Sequence, residues 1–326
     1  MNVLPKDKQV AVIAALTEGV SIRATERLTD VHRDTIMRLG VRVGEGCARL
    51  HDAMMRDLNV NLIQLDEQWG FIGKKQKRVK VGDAPELGDV WVFVALDSTR
   101  KAVLSYVVGK RSGENTLAFV RDVQARIVNR PQISTDGFPA YAPAIMDAFN
   151  TEVDLGQIVK TYQNTDPTRS DAAHRYSPGQ VIAVDRTVIC GDPAEEEIST
   201  SHVERFNLST RMQVRRMTRL TNGFSRKLEH HRAAIALYIA WYNLCRVHEA
   251  LRVTPAMALG VTDHVWTIAE LVERALVAPL PPPLPTRGQK RLVGMTAAQA
   301  KGEGRGSYRG PRGPRPRLRI IKGGLS

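Results

Sequence analysis

Three acids stand out by position: Asp66, Asp136 and Glu204. Asp66 sits among Leu62, Ile63, Leu65 and Trp69, where an ionised carboxylate is costly unless something binds it. Asp136 ends the short run Ile133–Thr135 and precedes Gly137, whose missing Cβ lets the backbone turn sharply. Glu204 falls in the first turn of a helix-forming stretch that starts near Ser201. Carboxylates gathered at one point repel each other and call for cations. Hard oxygen ligands completed by water suit Mg2+ or Mn2+ better than zinc. Two such ions roughly 3.5–4 Å apart clamp a phosphodiester, one activating the attacking hydroxyl and the other stabilising the leaving oxygen. The chemistry implied is phosphoryl transfer on a nucleic acid, with no covalent enzyme intermediate. Glu67 competes with Asp66 for the inward position, and Asp97 is a further acid at a strand end that reads as a turn residue.

Convergence of these acids depends on the elements that carry them. Val60–Leu65 reads as a strand, and Val90–Leu96 is a continuous β-rich run fit for burial on both faces. Val103–Val108 follows after the turn Asp97–Lys101, which predicts a hairpin. Asn115–Val128 has helical spacing, Ile133–Thr135 is a short strand, Pro139–Phe149 is helical and Leu155–Tyr162 is strand-like. This order is the skeleton of an α/β fold with a ribonuclease-H-like mixed β-sheet. Its first and fourth strands lie side by side, bringing Asp66 and Asp136 to one edge. Gln163–Ser199 is polar and proline-containing and reads as an insertion or long loop, and helices fill most of 201–276.

The N-terminal region 1–56 reads as a separate all-α domain. A helix through Val10–Leu16 stops at Glu18–Gly19, Ser21 caps Ile22–Leu28, and a third helix runs from about His32 to Leu39 with Gly40 as its stop. The last two resemble a helix-turn-helix, with Arg33, Thr35 and Arg38 as candidate readers of DNA. Arg211, Arg215, Arg216 and Arg219 on the helix expected at 201–219 form a second basic track. Trp241 and Tyr242 sit in an apolar run and read as core.

The net charge of the 326 residues is +13, and its distribution is uneven. From Thr286 to Ser326 there are eleven Lys/Arg and one acid, which leaves about +3 for everything before. The Pro/Gly/Arg-rich stretch 277–326 therefore reads as a disordered basic tail, attracted to DNA through counterion release. The three cysteines form no C-x-x-C pair. No apolar run is long enough to span a bilayer and no signal peptide is evident, so the expectation is a cytoplasmic, nucleoid-associated protein with no membrane partner.

Leu65-Asp66-Glu67-Gln68-Trp69 with Gly73-Lys74-Lys75, Ser134-Thr135-Asp136-Gly137, and His202-Val203-Glu204-Arg205-Phe206-Asn207 resemble insertion-sequence transposases of the IS-one type. Trp241–His248 followed by Thr254-Pro255-Ala256 is similar to the close of many DDE transposase and integrase domains. The resemblance spans about residues 20–275. It implies a ribonuclease-H-like catalytic domain over 59–276 and the triad Asp66, Asp136, Glu204 as catalytic and metal-binding residues. It also implies Mg2+ (or Mn2+, two ions), His202 as an accessory residue, and double-stranded transposon ends and target as substrate. Such enzymes act as homo-oligomers on DNA. The alternatives are a catalytically silent, transposase-derived DNA-binding regulator and a nuclease acting on RNA–DNA hybrids.

Overall fold

A computed structural model of the chain describes residues 4–162, 181–219 and 221–277. The hydrophobic run expected as a doubly buried strand is the interior of β2 (Gly88–Asp97). It is flanked by β1 (Leu62–Ile72) and β3 (Val103–Gly109), both antiparallel to it. On its other side β1 pairs in parallel with β4 (Gln132–Thr135). β5 (Asp154–Tyr162) continues in parallel from β4, and β6 (Val181–Cys190) adds on antiparallel. The result is one six-stranded mixed sheet, ordered β3-β2-β1-β4-β5-β6, with the first and fourth strands adjacent as expected.

Helices cover both faces of the inner strands of this sheet and its β3 edge. Side chains alternate between faces along β1. Glu67 meets Tyr141 on α5 (Tyr141–Phe149), which packs beside α4 (Gly113–Arg126); Asp66 meets Asn207 on α6 (Ser201–Gln213) from the opposite side. At the β3 edge, Asn243 of α7 (Leu228–Leu244) bonds both the N–H and the C=O of Val103, at 3.0 and 2.8 Å. That pairing satisfies backbone groups which a bare edge would leave open. The chain ends its described part with the short α8 (Pro255–Ala258) and α9 (Ile268–Val277).

β1 runs well past the Val60–Leu65 strand expected from sequence, because its antiparallel partner β2 supports it as far as Ile72. Asp66 is therefore mid-strand, and it is β4, not β1, that ends beside it. Part of the stretch read as a loop is the strand β6. Its residues are almost all exposed on both faces, so no buried run announced it. Residues 163–180 of that stretch, and the tail beyond Val277, lie outside the described residues.

At the N-terminus, α1 (Lys6–Thr17) and α2 (Ile22–Thr29) fall where expected, the latter capped by Ser21 Oγ accepting from Ala24 N–H at 3.2 Å. The third helix does not stop at Gly40: α3 spans Arg33–Met54. Its glycines serve close packing instead of termination. A Cβ at Gly44 would overlap the backbone of Ala233 on α7, and one at Gly46 the backbone of Ala275 on α9. These contacts join the three N-terminal helices to the sheet-bearing part in one compact unit. The helix expected over 201–219 ends at Gln213, because Val214 and Met217 turn inward to the core. Arg215, Arg216 and Arg219 thus lie on an irregular segment. No described helix is long and apolar enough to cross a membrane.

Candidate metal centre and its supports

The parallel register of β1 and β4 builds the centre. Leu65 pairs with Thr135, so one residue further on Asp66 and Asp136 emerge side by side. With Glu67 they form a cluster whose ligand oxygens all lie within 4.8 Å of one another. Burial pushes the Asp66 carboxyl up to about 7, with further upward pressure from Glu67 and Asp136. The Glu67 N–H at 2.8 Å from Oδ1 and the Asn207 amide at 2.8 Å from Oδ2 pull the other way. The side chain of Asp136 accepts from the N–H of Phe138 at 3.0 Å, a short turn that fixes the carboxylate after the strand ends. Gln157 Nε2 holds the Asp136 carbonyl at 2.8 Å.

Glu67 answers the question of which neighbouring acid turns inward: it is the more buried of the two. Its carboxylate is bound by the Arg111 guanidinium and accepts from the buried Tyr141 hydroxyl at 2.8 Å. Arg111 is itself stacked over Phe138 at 4.0 Å and Trp91 at 4.8 Å. Burial raises the Glu67 pKa against these partners. Asp97 is fully buried and accepts from the N–H groups of Thr99 and Arg100, which is the turn role expected of it.

Glu204 is on α6 as expected, but outside that cluster of carboxylates. Its Oε1 is bound by Lys160 Nζ and by Thr200 Oγ1 at 2.6 Å. His202 sits at the start of the same helix, with Lys101 Nζ 3.1–3.2 Å from its ring nitrogens; partial burial and then Lys101 lower its pKa. Arg211, in the last turn of α6, is lowered to about 10 by burial and by Arg219, and Asp66 pulls it back up. Arg33 and Arg38 are exposed on the first turns of α3 and Thr35 is half-buried, while Arg215 and Arg219 are exposed beyond α6.

Sequence reasoning missed the residues that hold α6 against β1. Thr200 provides no side-chain cap to α6; instead the buried Gln64 Oε1 accepts from the N–H groups of His202 and Val203 at 2.9 and 3.0 Å. The buried Gln68 donates to the Asn207 carbonyl at 2.6 Å. Gln64, Asp66 and Gln68 share one face of β1, so three successive positions on that face grip one helix. Polar residues at a spacing of two inside an otherwise apolar strand were the available signal.

Among the described residues, Asp66, Glu67 and Asp136 suit a hard divalent cation: three carboxylates each offering an oxygen within 4.8 Å of the others, one of them strongly desolvated. Asp66 and Asp136 accept from neutral amide N–H groups, whereas Glu67 is committed to the Arg111 guanidinium and the Tyr141 hydroxyl.

No protein-family model matches the chain. Insertion element IS1 protein InsB of Shigella sonnei is 24% identical over 178 residues, covering 54% of this chain and 92% of that protein. Insertion element IS1 9 protein InsB of Escherichia coli strain K12 is also 24% identical over 178 residues, 54% of this chain and 72% of that protein. Among solved structures, a piggyBac transposase synaptic complex with hairpin DNA matches at a TM-score of 0.29 and 12% identity, over 74% of this chain and 55% of that one. A Mos1 transposase paired-end complex with its left transposon end matches at 0.20 and 15%, over 48% and 60%.

Proposed function

We propose that the chain is a DNA transposase that cleaves insertion-element ends and transfers the freed strand, with Asp66, Asp136 and Glu204 as its metal-holding acids on a ribonuclease-H-like domain. The observation that carries this reading is the β1–β4 register, which sets Asp66 and Asp136 side by side at the middle of the sheet. The sequence similarity to the InsB proteins supports it.

Asp66 and Asp136 would hold the cation, with Glu204, whose Oε1 is bound by Lys160, as the third acid from α6. Bound Mg2+ or Mn2+, two ions in this chemistry, would activate the attacking hydroxyl and stabilise the leaving oxygen. The residues of the chain itself do the positioning. Asn207 fixes the orientation of Asp66, and Gln64 and Gln68 fix the helix that carries Glu204 and Asn207. Arg211, whose charge Asp66 favours, would balance charge on the scissile phosphate, and His202 with Lys101 lines the start of α6. Arg33, Thr35 and Arg38 on α3 read the DNA end, while Arg215, Arg219 and the basic residues of Thr286–Ser326 attract the backbone. The enzyme works in the cytoplasm, on nucleoid DNA, as a homo-oligomer bridging paired ends.

The test is metal-dependent nicking and strand transfer on DNA carrying the element's own termini. Asp66→Asn and Asp136→Asn should each lose at least 10³-fold in rate. Parent-like cutting by both variants would end the assignment. A second reading, a silent DNA-binding regulator, is favoured by one observation, the commitment of Glu204 to Lys160 and Thr200. Under that reading the parent itself cuts nothing in Mg2+ yet still binds.

A further inference from the structure

A groove of about 890 Å³ lies away from the carboxylates, between the N-terminal helices and the chain from Val214 to Tyr238. Its lining includes Arg23, Arg215, Arg216, Arg226, Lys227 and His230, and no acid. Arg216 and His230 are its half-buried charges, the others being exposed. Arg216 makes no ion pair among the described residues; its single polar partner is Ser225 Oγ at 3.5 Å, the far limit of a hydrogen bond. Burial lowers its pKa, as expected for a cation removed from water without a counter-charge. Ser225 is fully buried and shared with His231, whose Nδ1 is 3.0 Å away and whose Nε2 has no partner. Glu229, the acid nearest in sequence, is bound to Lys227 and His230 on the outside.

A guanidinium held in this way is short of an oxyanion, and the rim supplies further positive charge for a chain of them. We infer that this groove seats the phosphodiester backbone of DNA, with Arg216 as the innermost phosphate ligand and Arg226 and Lys227 at the rim. The apolar floor, from Ile22, Met37 and Phe224, fits the sugar faces of the same strand. The chain's own basic tail is excluded as occupant, because like charge would face like charge. The groove is tied to the carboxylate centre through one strand. Ile72 at the end of β1 pairs with Ser225, the Gly73 N–H bonds the Ser225 carbonyl at 2.8 Å, and Phe224 stacks on Phe71 with ring centroids 4.8 Å apart. Six residues of β1 separate Ile72 from Asp66, a span of about 20 Å. Only the identity of the polyanion rests on the transposase reading; the anion site stands on the unpaired Arg216.

The experiment measures binding of a fluorescent 20-base-pair duplex to the full chain in EDTA, across a series of salt concentrations, for the parent, Arg216→Met and Arg226→Gln/Lys227→Gln. Each lost phosphate contact should lower the slope of log affinity against log salt by about 0.9. We expect Arg216→Met to bind about tenfold more weakly with a shallower slope, and the rim variant, whose residues are exposed, to do likewise without any risk to folding. Inorganic phosphate should raise the melting temperature of the parent and leave that of Arg216→Met unchanged. Removal of a half-buried cation that has no ion pair should itself leave that variant melting at or above the parent in phosphate-free buffer. Parent-like affinity and slope in both variants overturn the inference. Cleavage in Mg2+ is scored separately: a parent that cuts but whose binding ignores Arg216 removes the groove alone. A parent that binds through Arg216 but never cuts leaves the groove and removes the transposase.

Discussion

Asn207 Nδ2 donates to Asp66 Oδ2 across 2.8 Å, and the carboxamide oxygen of the same side chain has no partner although it is buried. The amide therefore acts on a single neighbour. It stands one turn beyond Glu204 on α6 and joins the helix to the carboxylate in the middle of the sheet.

Replacing Asn207 by Ala should weaken Mn2+ binding by roughly 10- to 100-fold, the usual cost of losing an orienting partner behind a metal ligand. Titration calorimetry with the full chain checks this. An affinity within twofold of the parent would show that Asp66 needs no such support.

Asp66 should also govern a pH dependence in the metal-free protein. Its pKa rises from 3.8 in the unfolded chain to about 7 in the fold, so the native state keeps a proton that the unfolded chain releases. Stability from this group therefore falls as pH rises from about 4 to 7 and levels off above. Buried His51 and His231, lowered to about 3 and about 4 by burial, act oppositely: their contribution is lost as the pH drops below 6.5 towards those values. The difference in unfolding free energy between parent and Asp66→Asn isolates the first effect. It should shift in favour of Asp66→Asn between pH 4 and 7, and a flat difference would refute the assignment.

For Glu204 the expected outcomes run in two directions. Glu204→Gln should cost at least tenfold in Mn2+ affinity, whereas Lys160→Met, which releases the carboxylate, should raise it. No change in either variant would remove Glu204 from the ligand set.

The sheet was legible in the sequence where burial was strong. Val90–Leu96 reads as a strand because it carries a continuous apolar run, Ile133–Thr135 is a short strand before Asp136-Gly137, and their order brought Asp66 and Asp136 together. β6 was illegible for the opposite reason: Val181–Cys190 has neither a buried face nor a partner nearby in sequence other than β5. Gly40 misled because a glycine past an apolar repeat looks like a stop, and only the neighbouring helices reveal that α3 uses its glycines for contact. The carboxylate centre was half legible. Asp66 and Asp136 follow from strand order, but the commitment of Glu67 to Arg111 and of Glu204 to Lys160 depends on long-range neighbours that no local pattern encodes.

Gly46→Ala gives a direct measure of that helix contact. The added methyl would overlap the carbonyl of Ala275, and the net cost should be about 2 kcal/mol even after the gain in helix propensity. Urea denaturation should show a lower midpoint at unchanged slope; a parent-like midpoint would mean α9 moves aside freely.

The same two glycines have a consequence for the nucleic acid. α3 is one unbroken rod, with Arg33 and Arg38 at its tip and its later turns pressed backbone to backbone against α7 and α9. The tip that reads DNA on this proposal is joined without a break in α3 to the turns packed on α7 and α9, so its position is set before any DNA arrives. On the proposed reading the duplex must supply the compliance. Element ends rich in easily kinked pyrimidine–purine steps would then be preferred at positions no side chain touches.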